Sequence, residues 1–366
     1  MVKKLKIGIL FGGKSAEHEV SIRSARSIVS ALDKKKYTAV LIGIDKSGRW
    51  FLPDKKKFMS KKGVESFPEN GVGDSVALLP QSCGKLINLS RKKQVIKLEV
   101  VFPVLHGTYG EDGTVQGLLE LANVPYVGAG VLGSALGMDK DFMKRVLRDV
   151  GLPIGKFLVL HQNEPHPIFS QVIKTLGGPV FVKPSNMGSS VGIGKAGSEK
   201  EFQAAVKDAF RYDQKIIIEQ FIKGREIECS VLGNEKPRAS LPGEVIPQHN
   251  FYSYEAKYLD ENGAILKIPA DLPKTVIKKI QKSAIETFQV LGCEGFARVD
   301  MFLTKTGKIY INEINTIPGF TKISMYPKLW EASGMPYTQL LDKLIELAQD
   351  RYNRKKRLKT SFQEDL

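Results

Sequence analysis

Cysteine is scarce: Cys83, Cys229 and Cys293 are the only three in 366 residues, odd in number and without the spacing of a metal or redox motif. That argues against a disulfide-built scaffold or a cysteine metal site, and it suits a reducing cytoplasm. Long apolar runs are missing as well. No stretch approaches 18 uninterrupted apolar residues, so no membrane insertion is expected. The run "IGILF" after the first lysines is too short for a secretory signal and ends in Gly-Gly, so it reads as a first strand. Acidic residues are outnumbered by basic ones, 39 to 55, for a formal net charge of +16. Such a balance raises nucleic-acid binding as a reading. The charge, however, gathers in "KKK" at 34–36 and 55–57, "RKK" at 91–93 and the tail "RYNRKKRLK", without interleaved aromatic motifs. We expect solvated surface there, no nucleic-acid partner, and a general attraction for anionic substrates such as nucleotides.

What is present is the composition of a globular protein, 42% hydrophobic and 26% charged, long enough for two or three domains. "KLKIGILFGG" has an apolar strand pattern, "SAEHEVSIRSARSIVSALD" has helical spacing with Ser15 as the expected N-cap, and "YTAVLIGID" is a second strand. This is a β-α-β opening of the doubly wound α/β kind. Residues 50–99 are weakly patterned and read as an insertion carrying short strands on loops. "VVFPVLHG" resumes as a buried strand, a helix follows in "GEDGTVQGLLELANV", and "PYVGAG" is expected to return to strand. Beyond "GMDKDFMKRVLRDVGLP" the rhythm changes to a helix, then strands and helices through "KIIIEQFI". A third unit holds "EIECSVLG", "GFARVDMFL", "KIYINEIN" and a closing helix "YTQLLDKLIELAQD", with a frayed end.

The stretch "FVKPSNMGSSVGIGK", residues 181–195, has the chemistry of a phosphate cradle: Gly lets backbone N–H groups approach an anion, Ser adds hydroxyls and Lys a charge. It does not fit G-x-x-x-x-G-K-[ST], and a flexible hairpin between two strands is the other reading of this segment. In "ARVDMFL" the period of two puts Arg298 and Asp300 on one strand face, and in "IYINEINTIPG" it does the same for Glu313 and Asn315. Paired as neighbours, the strands gather Asp300, Glu313 and Asn315, three oxygen ligands suited to Mg²⁺. A solvent-facing polar sheet face is the plainer alternative, but apolar residues flank these acids closely. Lys183 and Lys257, each near a Gly- or aromatic-rich loop, complete a magnesium–nucleotide site.

This combination resembles the ATP-grasp ligases. More closely, "FGGKSAEHEVSI", "HGTYGEDGTVQG", "GMDK", "VKPSNMGSSVG", "IIEQFIKGREIE", "FYSYEAKY", "ARVDMF" and "NEINTIPGFTKISMYPKL" occur in the order found in D-alanine–D-alanine ligases, over nearly the whole chain. The resemblance implies an N-terminal doubly wound (pre-ATP-grasp) domain, residues 1–135, followed by a two-lobed ATP-grasp fold. Its central lobe would be 136–219 and its C-terminal lobe 220–352, with a lid loop 247–263 and a basic tail 353–366. It implies cytoplasmic ligation of two D-alanines through an acyl phosphate, with ATP, with Mg²⁺ as two ions or Mn²⁺ as a substitute, and in a homodimer.

Residue by residue, the resemblance assigns Lys140, Lys183 and Ser190 to the ATP phosphates. Glu219, Phe221 and Ile222 go to the adenine, Glu226 to the ribose, and Lys257 on the lid to the γ-phosphate. Position 220, often Lys in relatives, is Gln here. Asp300, Glu313 and Asn315 are the implied metal ligands, and Arg298 with the Gly319 N–H the implied oxyanion donors. Glu17 would hold the ammonium of the first D-alanine and link to Ser189 and Tyr258. His106 would lie beside the same substrate, and Ser324 would take the carboxylate of the second. Taken alone, Glu17 reads as an acid favoured by the helix macrodipole and His106 as a structural histidine. A ligase joining D-alanine to D-lactate or D-serine is the alternative within this fold. "GAGVLG", residues 128–133, matches a dinucleotide fingerprint, but only a short strand precedes it and no acid ends a second strand about twenty positions on.

Overall fold

The computed structural model describes residues 4–60, 72–91, 95–247, 264–321 and 323–359. The first strand, β1 (Leu5–Gly12), is buried along most of its length and lies parallel to β2 (Tyr37–Ile44) on one side and β7 (Val100–Val104) on the other. Near-continuous apolar runs are what strands buried on both faces require. The helix between β1 and β2 is α1 (His18–Ala31). Its N-cap is Glu17, without a side-chain capping bond, so the expectation for Ser15 is corrected: that hydroxyl donates to the His106 carbonyl and accepts from Glu17 N–H. Ser15 thus ties a loop to β7's end instead of closing the helix.

The 50–99 segment extends the same sheet. Strands β3 (Trp50–Leu52), β4 (Asp74–Leu78), β5 (Lys85–Asn88) and β6 (Val95–Lys97) continue it antiparallel, around the short helix α2 (Lys55–Met59), to give the order β6-β5-β4-β3-β2-β1-β7. After α3 (Thr114–Leu121) the expected strand at "PYVGAG" is reduced to a single bridge between Val101 and Tyr126. "GAGVLG" therefore lacks the strand that a dinucleotide turn needs.

Helices α4 (Val131–Met138) and α5 (Lys140–Asp149) break at Asp139, whose carboxylate caps α5 by accepting from Asp141 N–H and Phe142 N–H. A four-stranded antiparallel sheet follows in the order β10-β9-β11-β8, from β8 (Phe157–His161), β9 (Val180–Pro184), β10 (Gly194–Ala196) and β11 (Lys215–Gln220). Its helices α6 (Phe169–Leu176) and α7 (Glu199–Ala209) cover one face, where Val180, Val182, Ile216 and Ile218 are buried. The opposite face carries Lys183 and Glu219.

The third sheet is built on β12 (Gly224–Gly233), β16 (Gly295–Thr304) and β17 (Ile309–Asn315), with β13 (Arg238–Ala239), β14 (Gly243–Pro247) and β15 (Ala264–Lys267) at its edge. On β12 and β16 the faces separate: Ile227, Cys229, Ala297, Val299 and Met301 are buried with Phe288 of α8 (Lys274–Val290), and the residues between them face the other way. Two last helices, α9 (Met325–Ala332) and α10 (Tyr337–Lys356), return to the first sheet. Leu340, Leu344 and Ile345 of α10 join Ile7, Ile28 and Phe102 in one core. Phe320 sits in the middle of it, its ring edge-on to Phe102 at 5.9 Å and to Phe296 at 5.5 Å. The segment before α9 is thereby pinned between the first and third sheets.

Candidate active site

The opening of the site is the connection between β9 and β10. The hairpin is realised: β9 and β10 are antiparallel neighbours, and the loop between them holds Ser189, Ser190 and Gly192 at φ of 52°, 61° and 68°. Two successive non-glycine residues in the left-handed region cost about 1 kcal/mol or more each, a strain that surrounding contacts must offset. Those contacts are present. Asn186 donates from its backbone and side chain to Asp213 at 2.7 and 3.0 Å, and Lys140 Nζ donates to the Met187 carbonyl at 2.6 Å. Ser189 Oγ donates to Glu17 Oε1, joining the loop to the start of α1. A Cβ on Gly188 would lie 3.1 Å from Glu17 Oε2, and one on Gly107 3.0 Å from the same atom. Glycine at both places lets the backbone close on that carboxylate.

Beneath the loop lie three lysines, Lys140 and Lys144 buried and Lys183 partly buried. Lys183 Nζ is 2.5 Å from Glu219 Oε2, Lys144 Nζ is 2.6 Å from Glu219 Oε1, and Lys140 Nζ is 3.7 Å from Glu313 Oε2. Burial alone would raise the Glu219 carboxyl, but the ammonium groups of Lys144 and Lys183 outweigh it and hold it at about 2. Burial lowers Lys140, opposed by Glu313, whereas for Lys183 the desolvation is overcome by Glu219 and Glu313 and its pKa is raised. Past Glu219 the chain runs through Phe221, whose ring lies 5.9 Å from that of Phe181, and Ile222, which approaches Gly155. The departure at Gln220 has a structural role: its Oε1 accepts from Lys156 N–H at 2.9 Å, tying this strand to the start of β8. Glu226 stands on β12 opposite Phe302, near enough to add to the field on Lys183.

The third sheet supplies a row of acids. Glu228 on β12 is opposite Asp300 on β16, and Asp300 is opposite Glu313 on β17. Asp300 takes a bidentate pair from Arg298, 2.7 Å on each oxygen, and accepts from Asn315 Nδ2 at 2.9 Å. Arg298 Nε also lies 2.9 Å from Glu228. The register shifts between Asp300 and Met301, so that Asn312 and Glu313 both escape the core side. Through this irregularity Asn312 serves the lysines, its carbonyl accepting from Lys144 at 3.2 Å and its side chain from Lys183 at 3.5 Å. Among the described residues no three His, Cys, Asp or Glu side chains form a closed cation cage. Two carboxylates and an amide are the partial, all-oxygen set suited to Mg²⁺, which shares phosphate and water oxygens.

On the far side of Glu17, His106 is fully buried, with Nδ1 at 2.9 Å from the Ile317 carbonyl and Nε2 at 3.3 Å from Ser24 Oγ. Burial depresses its pKa against the pull of Glu17, so the ring is neutral with its proton on Nδ1. Beside it is an acid absent from the sequence-based set. Glu111 accepts from Gly107 N–H at 2.7 Å and from Ile317 N–H at 3.2 Å, and burial with the Glu17 charge nearby lifts its carboxyl to about 8. Gly319 and Ser324 close the floor: Ser324 is the N-cap of α9, its Oγ accepting from Thr321 N–H at 2.9 Å and lying 2.9 Å from where a Gly319 Cβ would be.

This geometry meets what comparison with other proteins finds. Two family models match, described as D-ala D-ala ligase N-terminus over residues 6–129 and D-ala D-ala ligase C-terminus over 146–346. The chain belongs to the D-alanine–D-alanine ligase family. A ligase of that name from Shouchella clausii is 53% identical over 364 residues, 99% of each chain. The solved D-alanine-D-alanine ligase from Coxiella burnetii superposes with a TM-score of 0.87 at 43% identity, covering 97% of both chains. A D-Ala:D-Ser ligase from Enterococcus faecalis follows at 36% identity and a TM-score of 0.84, covering 94% of this chain and 100% of its own. The solved relatives share the ATP-grasp architecture expected from the sequence.

Contacts therefore link Glu17, His106, Lys140, Lys183, Ser189, Glu219, Arg298, Asp300, Glu313 and Asn315 in one network, with Ser190 next to Ser189, Gly319 against Ser324 on the chain after Asn315, and Phe221, Ile222 and Glu226 on the chain after Glu219. Lys257, Tyr258 and nearly all of the lid 247–263 lie outside the described residues. Sequence reasoning missed Lys144, Glu111, Glu228 and Asn312. Lys144 was readable as the position one helical turn after Lys140. Asn312 was not, because strict alternation puts it on the buried face.

Proposed function

We propose that this ligase joins two D-alanines into D-alanyl-D-alanine at the expense of ATP, supplying peptidoglycan precursor synthesis. The observation that carries the reading is the Ser189–Glu17 contact, which couples the phosphate-type loop to a carboxylate fit for an amino-acid ammonium. A carboxylate is a poor electrophile, so the γ-phosphoryl passes first to the carboxylate of one D-alanine. Lys140 and Lys183 neutralise phosphate charge, and Lys257 joins them from the lid. Asp300, Glu313 and Asn315 would hold Mg²⁺, as two ions, which would offset the charge of the transferring phosphoryl. Glu17 holds the first D-alanine's ammonium beside His106 and Glu111. The amine of the second D-alanine then attacks, and Arg298 with the Gly319 N–H stabilises the oxyanion that develops. The second carboxylate rests at Ser324 and the N-terminus of α9, where unpaired N–H groups favour an anion. Adenine packs near Phe221 and Ile222 with Glu219 as acceptor, and Glu226 takes the ribose.

Compartment and assembly complete the proposal: a cytoplasmic homodimer. Free Cys83, Cys229 and Cys293, and no described helix apolar enough to cross a membrane, support the former. The test is coupled ADP release with D-alanine alone and with equal D-lactate or D-serine added, the products separated by mass. We expect D-alanyl-D-alanine as main product at neutral pH. Chiefly depsipeptide or D-alanyl-D-serine would overturn the substrate assignment.

A further inference from the structure

Glu219 is bonded by two ammonium groups, those of Lys144 and Lys183, yet the proposed reaction requires one of them elsewhere. Lys183 stands at the root of the loop on β9, and its place on the ATP phosphates draws it from Glu219. Lys144 is differently placed. It projects from α5, its side chain is 2% exposed, and it is fixed to the third sheet by its bond to the Asn312 carbonyl. We propose that Lys144 is a positioning residue for nucleotide-base selection: it holds Glu219 as an acceptor-only carboxylate while Lys183 moves to the phosphates. The inference rests on the reading of Glu219 as the acceptor for adenine.

The chemistry follows from hydrogen-bond inventory. An ionised carboxylate only accepts, so it pairs with the exocyclic amino group of adenine and is repelled by the carbonyl oxygen that hypoxanthine carries there. If Lys183 left a Glu219 without a second cation, a buried charge would lose its compensation, at a penalty large enough to oppose nucleotide binding. Lys144 removes that conflict. Its anchoring on Asn312, in the irregular stretch of β17 beside Glu313, also fixes the carboxylate relative to the acid row. Without Lys144, Lys183 has to serve either Glu219 or the phosphates. Affinity for all nucleotides then falls, and the preference for adenine falls with it.

The experiment measures equilibrium affinity of the purified full chain for ATP and for inosine triphosphate with Mg²⁺, by titration calorimetry. Lys144→Met, Glu219→Gln and the double variant are compared with the unaltered chain, and thermal unfolding is recorded for each. We expect Lys144→Met to weaken ATP binding and to shrink the ATP-over-inosine-triphosphate ratio about tenfold, the scale of one charge-assisted hydrogen bond. Lys144→Arg, which keeps the charge, should restore part of the ratio. Glu219→Gln should shrink the ratio by itself, and Lys144→Met added to it should change the ratio no further. If Lys144→Met folds poorly, the double variant, with no buried carboxylate left unpaired, decides the matter against Glu219→Gln alone. An unchanged ratio in folded Lys144→Met, or a further loss in the double variant, would overturn the proposal. An unaltered ratio in Glu219→Gln would instead sink the adenine reading, and binding without any ligation would sink the proposed function while leaving this test intact.

Discussion

Single side chains decide the chemistry because each is held by partners that can be named. Glu313 is reached by Lys140 and stands opposite Asp300, and β17 offers no other carboxylate to replace it. Glu313→Gln should keep the melting temperature within a few degrees yet lower kcat by at least about 100-fold, the loss typical of removing a group aimed at transition-state charge. Near-normal turnover at ordinary Mg²⁺ would contradict that role. Glu111 makes a pH prediction. Its carboxyl is raised to about 8 in the folded chain by burial and by the Glu17 charge, against Gly107 N–H, Ile317 N–H and Arg298, which favour ionisation. Between its ordinary 4.5 and about 8 the folded chain keeps a proton that the unfolded chain has lost. The stability linked to this group is therefore complete below about pH 4.5 and declines as pH rises through 8, by at most about 1.4 kcal/mol per pH unit. Urea unfolding at pH 5.5 and 8.5 should show Glu111→Gln gaining on the unaltered chain at the higher pH; a difference flat in pH would refute it. Glu17, His106, Arg298 and Asp300 were legible because their motifs name them. Glu111 stood in the same "HGTYGEDG" stretch, but its role depends on bonds to Gly107 and Ile317, 206 residues from the latter, which no local pattern carries.

At the scale of elements, the site depends on where helices start and strands slip. Helix α5 begins with Lys140 because Asp139 caps it, and Asp139 also accepts from Ser185 Oγ at 2.8 Å and from Lys215 Nζ at 2.6 Å. One carboxylate thus joins the helix that carries Lys140, the end of β9 and the start of β11. Asp139→Ala should lower stability by about 1–2 kcal/mol, the cost of a lost cap. It should raise the KM for ATP more than the KM for D-alanine, since Lys140 and the 185–193 loop lose a shared anchor. Equal effects on both would place the defect in general stability. The role proposed for Lys257 makes a matching prediction: if it meets the γ-phosphate only on closure, Lys257→Ala should depress kcat more than ATP affinity. Loss of affinity at unchanged kcat would contradict it. Periodicity located nearly all of these elements, including β16, whose alternation is clean, and β17, whose slip at Asn312 it does not show. It failed at Ser15, where a polar residue before a helix bonds a distant carbonyl instead, and at "PYVGAG", where turn-forming glycines leave one bridge. Capping and edge pairing are settled by tertiary neighbours, which a local pattern does not contain.

Across the whole molecule, the first and third sheets meet because the chain's end packs against its beginning. Helix α10 lies in one core with β1, α1 and β7, and Phe320 beside it fixes the segment holding Gly319 between the first and third sheets. A reading in consecutive domains does not foresee this, since amphipathic spacing marks an apolar face without naming what covers it. The consequence is functional: Glu17 from the first sheet's helix, Ser189 from the second sheet and Arg298 from the third converge on the same small space. The central claim is that this convergence activates a D-alanine carboxylate by phosphoryl transfer before an amine attacks it. Isotope transfer tests it most directly. D-Alanine labelled with ¹⁸O in both carboxyl oxygens is incubated with ATP, Mg²⁺ and the full chain, and the phosphate and dipeptide are weighed by mass spectrometry. The account predicts one ADP and one inorganic phosphate carrying a single ¹⁸O for each D-alanyl-D-alanine formed. Dipeptide accompanied by unlabelled phosphate, or ATP cleaved to AMP and pyrophosphate, would contradict it.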